Sequence, residues 1–190
     1  MNILESTTIG EIVAADYRTA ALFSQLGIDF CCKGHRTLEE VCTKKNLNPE
    51  NIKHDLTSIM SKNDDNTIDF KSWEIDLLAD YVEKTHHRYV EENSQVLLGM
   101  LNKLCKVHGD RHPELFEINQ LFLESAQDLA AHMKKEELIL FPFIRKMVAA
   151  KRGQQPIVRP HFGTVDNPIS MMMHEHDTEG ERFRKIAMLT

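Results

Sequence analysis

The sequence predicts an all-α protein in which a small helical N-terminal domain precedes an antiparallel helical bundle. Three long stretches repeat apolar residues in steps of three and four, and no alternating strand pattern competes with them. A short polar segment separates these stretches from a run of shorter helices.

The short helices come first. Thr8 caps a helix over 9–15, residues 18–26 are amphipathic, Thr37 starts a third helix, and Pro49 opens a fourth in its first turn. Between the second and third lies Gly27-Ile-Asp-Phe-Cys-Cys-Lys-Gly34, a loop with glycine at both ends and adjacent thiols at Cys31 and Cys32. Residues 61–66 are polar and aperiodic. They divide a domain at 1–62 from a bundle at 67–190.

The first long helix runs from Trp73 to about Lys106, with Leu78, Val82, Tyr89, Val96, Met100 and Leu104 on one stripe and His86 among them. After a turn at Gly109 and Pro113, the second continues to about Ala150. Its stripe is Ile118, Phe122, Leu129, Leu140 and Phe143, and Pro142 is expected to kink it. Residues 152–167 form a loop, and the third helix places Ile169, Met172 or Met173, His176, Phe183 and Ile186 or Ala187 on one face.

The bulk numbers remove several classes of function. With 190 residues the chain can bury a core, yet no apolar run approaches a bilayer-spanning length. The start Met1-Asn-Ile-Leu-Glu-Ser6 lacks a signal-peptide pattern, which places the protein in the cytoplasm with its four cysteines as thiols. Net charge is −6 and no basic cluster stands out, which argues against nucleic-acid and membrane partners.

His132 and Glu136 occupy the apolar stripe of the second helix one turn apart. An imidazole and a carboxylate buried there unpaired would cost several kcal/mol or so, and a shared cation removes that cost. His86 and His176 lie on the apolar faces of the other two helices, so all three long helices carry a candidate ligand. His87, His174 and Glu137 read as flanking groups. Imidazole with carboxylate suits iron, manganese or zinc. Cys31 and Cys32 stand beside Lys33, His35 and Arg36, whose positive charges favour thiolate; a redox or metal-transfer role competes with one thiol simply being packed and the other exposed.

These residues carry a likeness. His132-Met-Lys-Lys-Glu136-Glu-Leu-Ile-Leu-Phe-Pro142 resembles the His-x-x-x-Glu-(Glu)-x-x-Leu-Phe-Pro pattern of hemerythrin-like domains. Thr8-Ile-Gly-Glu-Ile12, followed by Gly27-Ile-Asp-Phe-Cys-Cys-Lys-Gly-His-Arg-Thr-Leu38, is similar to the small N-terminal domain of the bacterial repair of iron centres family. The resemblance implies a non-haem di-iron site in the bundle. His86, His132 and His176 would be imidazole ligands, Glu136 would bridge the irons, and Cys31 and Cys32 would match the family's cysteine pair.

It also implies repair of iron–sulfur proteins damaged by nitric oxide or oxidation, by donation of iron. The family's bundle has a fourth long helix with a second His-x-x-x-Glu pair, whereas this chain stops at Thr190 after the third. A homodimer that completes the site, or a shortened form that binds less iron or none, is the matching expectation. The rival readings are a nitric oxide reductase, a sensor or store for nitric oxide, oxygen or iron, and an interaction protein that has lost its metal.

Overall fold

The computed structural model describes residues 3–4, 6–31, 33–62, 68–157 and 159–190. Every regular element among them is helical, and the one strand-like feature is an isolated bridge between Thr8 and Thr37. The chain forms two compact units, Met1–Trp73 and Glu74–Thr190.

In the first unit, helices α1 (Ile9–Ala15), α2 (Thr19–Gln25), α3 (Leu38–Lys45) and α4 (Pro49–Ser61) surround one apolar core. Ile9, Ile12, Phe23, Leu38 and Leu56 are fully buried in it. Two capping boxes set its geometry. The Thr8 hydroxyl accepts from the Glu11 N–H while the Glu11 carboxylate accepts from the Thr8 N–H, and Thr37 and Glu40 repeat the arrangement on α3. The two caps lie side by side, because Ile9 N–H donates to the Arg36 carbonyl at 2.9 Å and Leu38 N–H donates to that of Thr7 at 3.0 Å.

The loop that carries Cys31 is fastened to α1 by the Gly10 N–H, which donates to the Gly34 carbonyl at 2.8 Å. Position 34 must be glycine, since a Cβ there would come within 2.4 Å of the Phe30 carbonyl oxygen. Phe70–Ser72, a single 3-10 turn, completes this unit.

The second unit is built from two long composite helices and a third. α5 (Ile75–Tyr81) passes through a π-helical turn at Val82–His87 into α6 (Arg88–His108). α7 (Glu114–Lys135) passes through a second π turn at Glu136–Leu140 into α8 (Phe141–Arg152). Pro142, where a kink was expected, falls in the first turn of α8 directly after this widened turn, where its missing N–H is tolerated.

The first composite helix folds back on the second as an antiparallel hairpin, α6 against α7 and α5 against α8. α9 (Asp166–Leu189) runs antiparallel to α7. Ion pairs mark that register: Glu175 with Lys135, Arg182 with Asp128, and Lys185 with Glu117.

The π turn at 82–87 corrects the expected stripe. One added residue per turn rotates everything beyond it by about 100°. Tyr89, Val96, Met100 and Leu104 are therefore exposed, and Cys105 is the buried residue of α6.

Asp16, between α1 and α2, accepts from the Arg18 Nε at 3.0 Å and from its Nη2 at 2.7 Å, while Arg18 Nη1 donates to the Lys62 carbonyl at 2.7 Å. The Arg18 hydrogen bonds hold the Asp16 carboxyl below its ordinary value. A carboxyl lowered on folding stabilises the fold above its unfolded pKa and loses that contribution as pH falls through the folded value. Asp16→Asn should therefore cost about 1–2 kcal/mol at neutral pH, with the difference from the native protein shrinking as pH drops below 3.8. Urea denaturation at a series of pH values measures this; a pH-independent difference contradicts it.

Candidate metal centre

Both π turns present side chains to the same place. His87, 5% exposed, is turned inward from the first helix, and its ring stacks on Phe141 with centroids 5.6 Å apart. His87 Nε2 lies 3.0 Å from Glu136 Oε2, and its Nδ1 lies 3.0 Å from Glu137 Oε1. From the second helix, His132 places Nε2 3.6 Å from that same Glu136 oxygen, and its Nδ1 lies 2.7 Å from Glu175 Oε2 on α9. Two imidazoles from two helices thus converge on one carboxylate.

Each ring is held from behind by a carboxylate, and each carboxylate by a lysine. Lys134 Nζ donates to Glu137 at 2.6 Å, and Lys135 Nζ donates to Glu175. The Lys134 hydrogen bond lowers the Glu137 pKa, with His87 adding to it against burial. For Glu175, burial pushes upward, but the hydrogen bonds from Lys135 and His132 outweigh it and the net shift is downward. Ionised carboxylates therefore stand behind Nδ1 of both rings, and Nε2 of each ring faces Glu136. Histidines that bind metals are oriented in this way.

His176 packs edge-on against His132, with ring centroids 4.7 Å apart. Burial and the neighbouring His132 lower its pKa, against Glu136, Glu175 and Asp177. A neutral imidazole is the form that donates to a metal. Beside these rings, a cavity of about 240 Å³ is lined by His132, His176, Glu175, Glu179 and Asp128.

Among the described residues, no three His, Cys, Asp or Glu side chains already stand at metal-holding distances. The donors nevertheless fit a metal. His132 Nε2 is buried without a hydrogen-bond partner and faces a carboxylate oxygen, which is the polar vacancy a cation would satisfy. Neighbouring ligands about 2.1 Å from one ion stand about 3 Å apart, close to the 3.0 and 3.6 Å separations around Glu136.

Of the sequence expectations, His132, Glu136 and His176 come together here. His86 does not: it is exposed and packs edge-on against Tyr81 at 5.3 Å. The π turn is the reason, since it carries the inward face from Val82 to His87, five residues on instead of four. His87, read from sequence as a flanking group, takes the central position, and Glu175 was not foreseen. The His86-His87 doublet was the available signal, but α-helical spacing selects its wrong member. In the other unit, Cys31 is exposed and its Sγ lies 3.4 Å from Asp29 Oδ1. Arg36, expected to favour thiolate, donates to the carbonyls of Lys33 and Asp29. Cys32 lies outside the described residues.

Residues 5–60 match the family ScdA_N, described as a domain of unknown function (DUF542). Across nearly the whole chain the protein is similar to the iron-sulfur cluster repair protein YtfE of Pectobacterium carotovorum subsp. carotovorum, at 30% identity over 187 residues, 96% of this chain and 76% of the relative. The protein of the same name from Musicola paradisiaca is likewise 30% identical, with the same coverage. The iron-sulfur cluster repair protein ScdA of Staphylococcus epidermidis is 24% identical over 189 residues, 99% of this chain and 80% of that protein.

The geometry separates the two adjacent histidines. His87→Ala removes a buried ring and leaves Glu136 and Glu137 without their shared partner, so it should destabilise the chelator-treated protein by about 1–3 kcal/mol. His86→Ala should stay within about 0.5 kcal/mol. Chemical denaturation of the two variants gives the comparison, and equal effects would contradict the placement.

Proposed function

The chain belongs to the family of iron–sulfur cluster repair proteins, and from that membership we propose that it restores damaged iron–sulfur clusters with iron held at Glu136. The observation that supports this reading is the approach of His87 Nε2 and His132 Nε2 to one Glu136 oxygen, each ring fixed from behind by a carboxylate. His87, His132 and His176 would be the imidazole ligands. Glu136 would be the bridging carboxylate of a non-haem di-iron centre, and a damaged iron–sulfur protein would be the partner that receives the repair.

Bound iron would supply the metal that a damaged cluster has lost. The protein's own part is to keep the donor atoms available. Glu137 and Glu175 orient the rings through Nδ1, Lys134 and Lys135 hold the pKa values of those carboxylates down, and burial lowers the pKa of His176 and so favours a neutral ring beside His132. By donor type the set would also accept manganese or zinc. Family membership is what selects iron. Cys31, exposed in the other unit, and Cys32 would serve as thiols that pass on metal, sulfur or electrons.

Iron bound per chain after anaerobic loading with ferrous iron and desalting tests the site. Recovery of a nitric-oxide-treated [4Fe–4S] enzyme tests the activity. Native protein should retain about two irons per chain and restore the enzyme, His87→Ala and His132→Ala should lose both properties, and His86→Ala should keep both. Native protein that retains no iron, or His86→Ala behaving as His87→Ala should, would overturn the assignment.

A further inference from the structure

The π turn at Glu136–Leu140 has a second face. Glu136 and Glu137 meet the histidines, whereas Leu138 and Ile139 border a cavity of about 500 Å³ that lies between the start of α8 and residues 156–157 and 159–162. Phe143 and Phe162 form its aromatic wall, edge-on with centroids 5.2 Å apart, and Ile139 and Ile157 add aliphatic surface. Pro142, Pro156 and Pro160 also line it, and proline contributes no N–H to a ligand. The lining is therefore more apolar than polar. Of these lining residues Leu138 is 72% and Ile157 55% exposed, so the apolar wall opens to the surface.

Two permanently charged side chains, Lys146 and Arg159, are among the described residues that line this cavity, and no aspartate or glutamate is. Some cations of this unit meet carboxylates, among them Lys134, Lys135, Arg145, Arg152, Arg182 and Lys185, while Arg88, Lys103, Lys106, Arg111 and Lys151 form no ion pair among the described residues. Lys146 and Arg159 are in none of the ion pairs among the described residues. A cationic mouth on an apolar cavity, in a chain of net charge −6, is complementary to a ligand with apolar groups inside and negative charge at the rim.

We propose that this cavity receives an acidic, apolar peptide segment of a partner protein. The exposed Leu138 and Ile157 at the opening favour a peptide over a small anion. A small anion would be held by solvated rim cations alone, each worth about 1 kcal/mol or less. A peptide uses the whole surface: its aliphatic or aromatic side chains enter between Phe143, Phe162 and Ile157, and its carboxylates face Lys146 and Arg159. The proposal requires no iron at Glu136, so it stands or falls separately from the repair reading.

Fluorescence anisotropy with the full chain and a fluorescein-labelled peptide tests it, the peptide having about a dozen residues with glutamate alternating with leucine and phenylalanine. Saturable binding is expected, weakened about tenfold by Lys146→Glu with Arg159→Glu and weakened again by salt at about 0.5 M. Ile157→Asp, on an exposed loop, should also weaken binding while leaving thermal unfolding unchanged. Absence of saturable binding would overturn the proposal, as would equal affinity for a peptide with lysine in place of glutamate, or binding unaffected by either set of substitutions. Displacement of the peptide by decanoate at equal concentration would assign the cavity to small amphiphiles instead.

Discussion

The second unit is organised by the need to accommodate ionisable groups in a helical interior. His87 and His132 are each about 95% buried, and Glu136 is nearly as enclosed, in the interface where a bundle ordinarily places leucine. The interface tolerates them because each has a partner drawn from another helix or turn. Glu136 takes His87, Glu137 takes the other side of that ring, and Glu175 on α9 takes His132. Three helices are thereby tied to one point. What is left over in this set is the Nε2 of His132, buried without a hydrogen-bond partner.

The two π turns make this arrangement possible. An unbroken α-helix would direct His86 inward after Val82, and would run from His132 through Glu136 to Leu140 on one uninterrupted stripe. A widened turn in each helix adds a residue where the groups meet, and π turns of this kind recur at functional sites. The second turn does double service, because Glu136 and Glu137 reach the histidines while Leu138 and Ile139 line the basic-mouthed cavity on its other face.

The first unit shows the opposite economy. Its core is apolar among the described residues: Ile9, Ile12, Phe23, Leu38 and Leu56 close it with Cys42 packed among them, and two capping boxes joined by backbone hydrogen bonds fix how α1 and α3 start. Cys31 is exposed on a loop whose path is fixed by the Gly10–Gly34 contact. The Cys31 thiol stands apart from the apolar core here, whereas the second unit encloses its ionisable groups.

The sequence by itself determined the all-helical class, the caps at Thr8 and Thr37, the first-turn Pro49, and the pairing of His132 with Glu136. All of these depend on residues within a turn or two of each other, where local geometry is fixed by 3.6 residues per turn and by side chains that reach nearby backbone groups. Which member of the His86-His87 doublet faces inward, and which side of α6 is buried beyond it, was decided only by tertiary structure. A π turn leaves no local composition mark, and it forms where packing between helices favours an extra residue. The roles of Glu175 and Lys135 were equally hidden: forty residues separate them in the chain, and only the antiparallel docking of α9 on α7 brings that carboxylate between the lysine and His132.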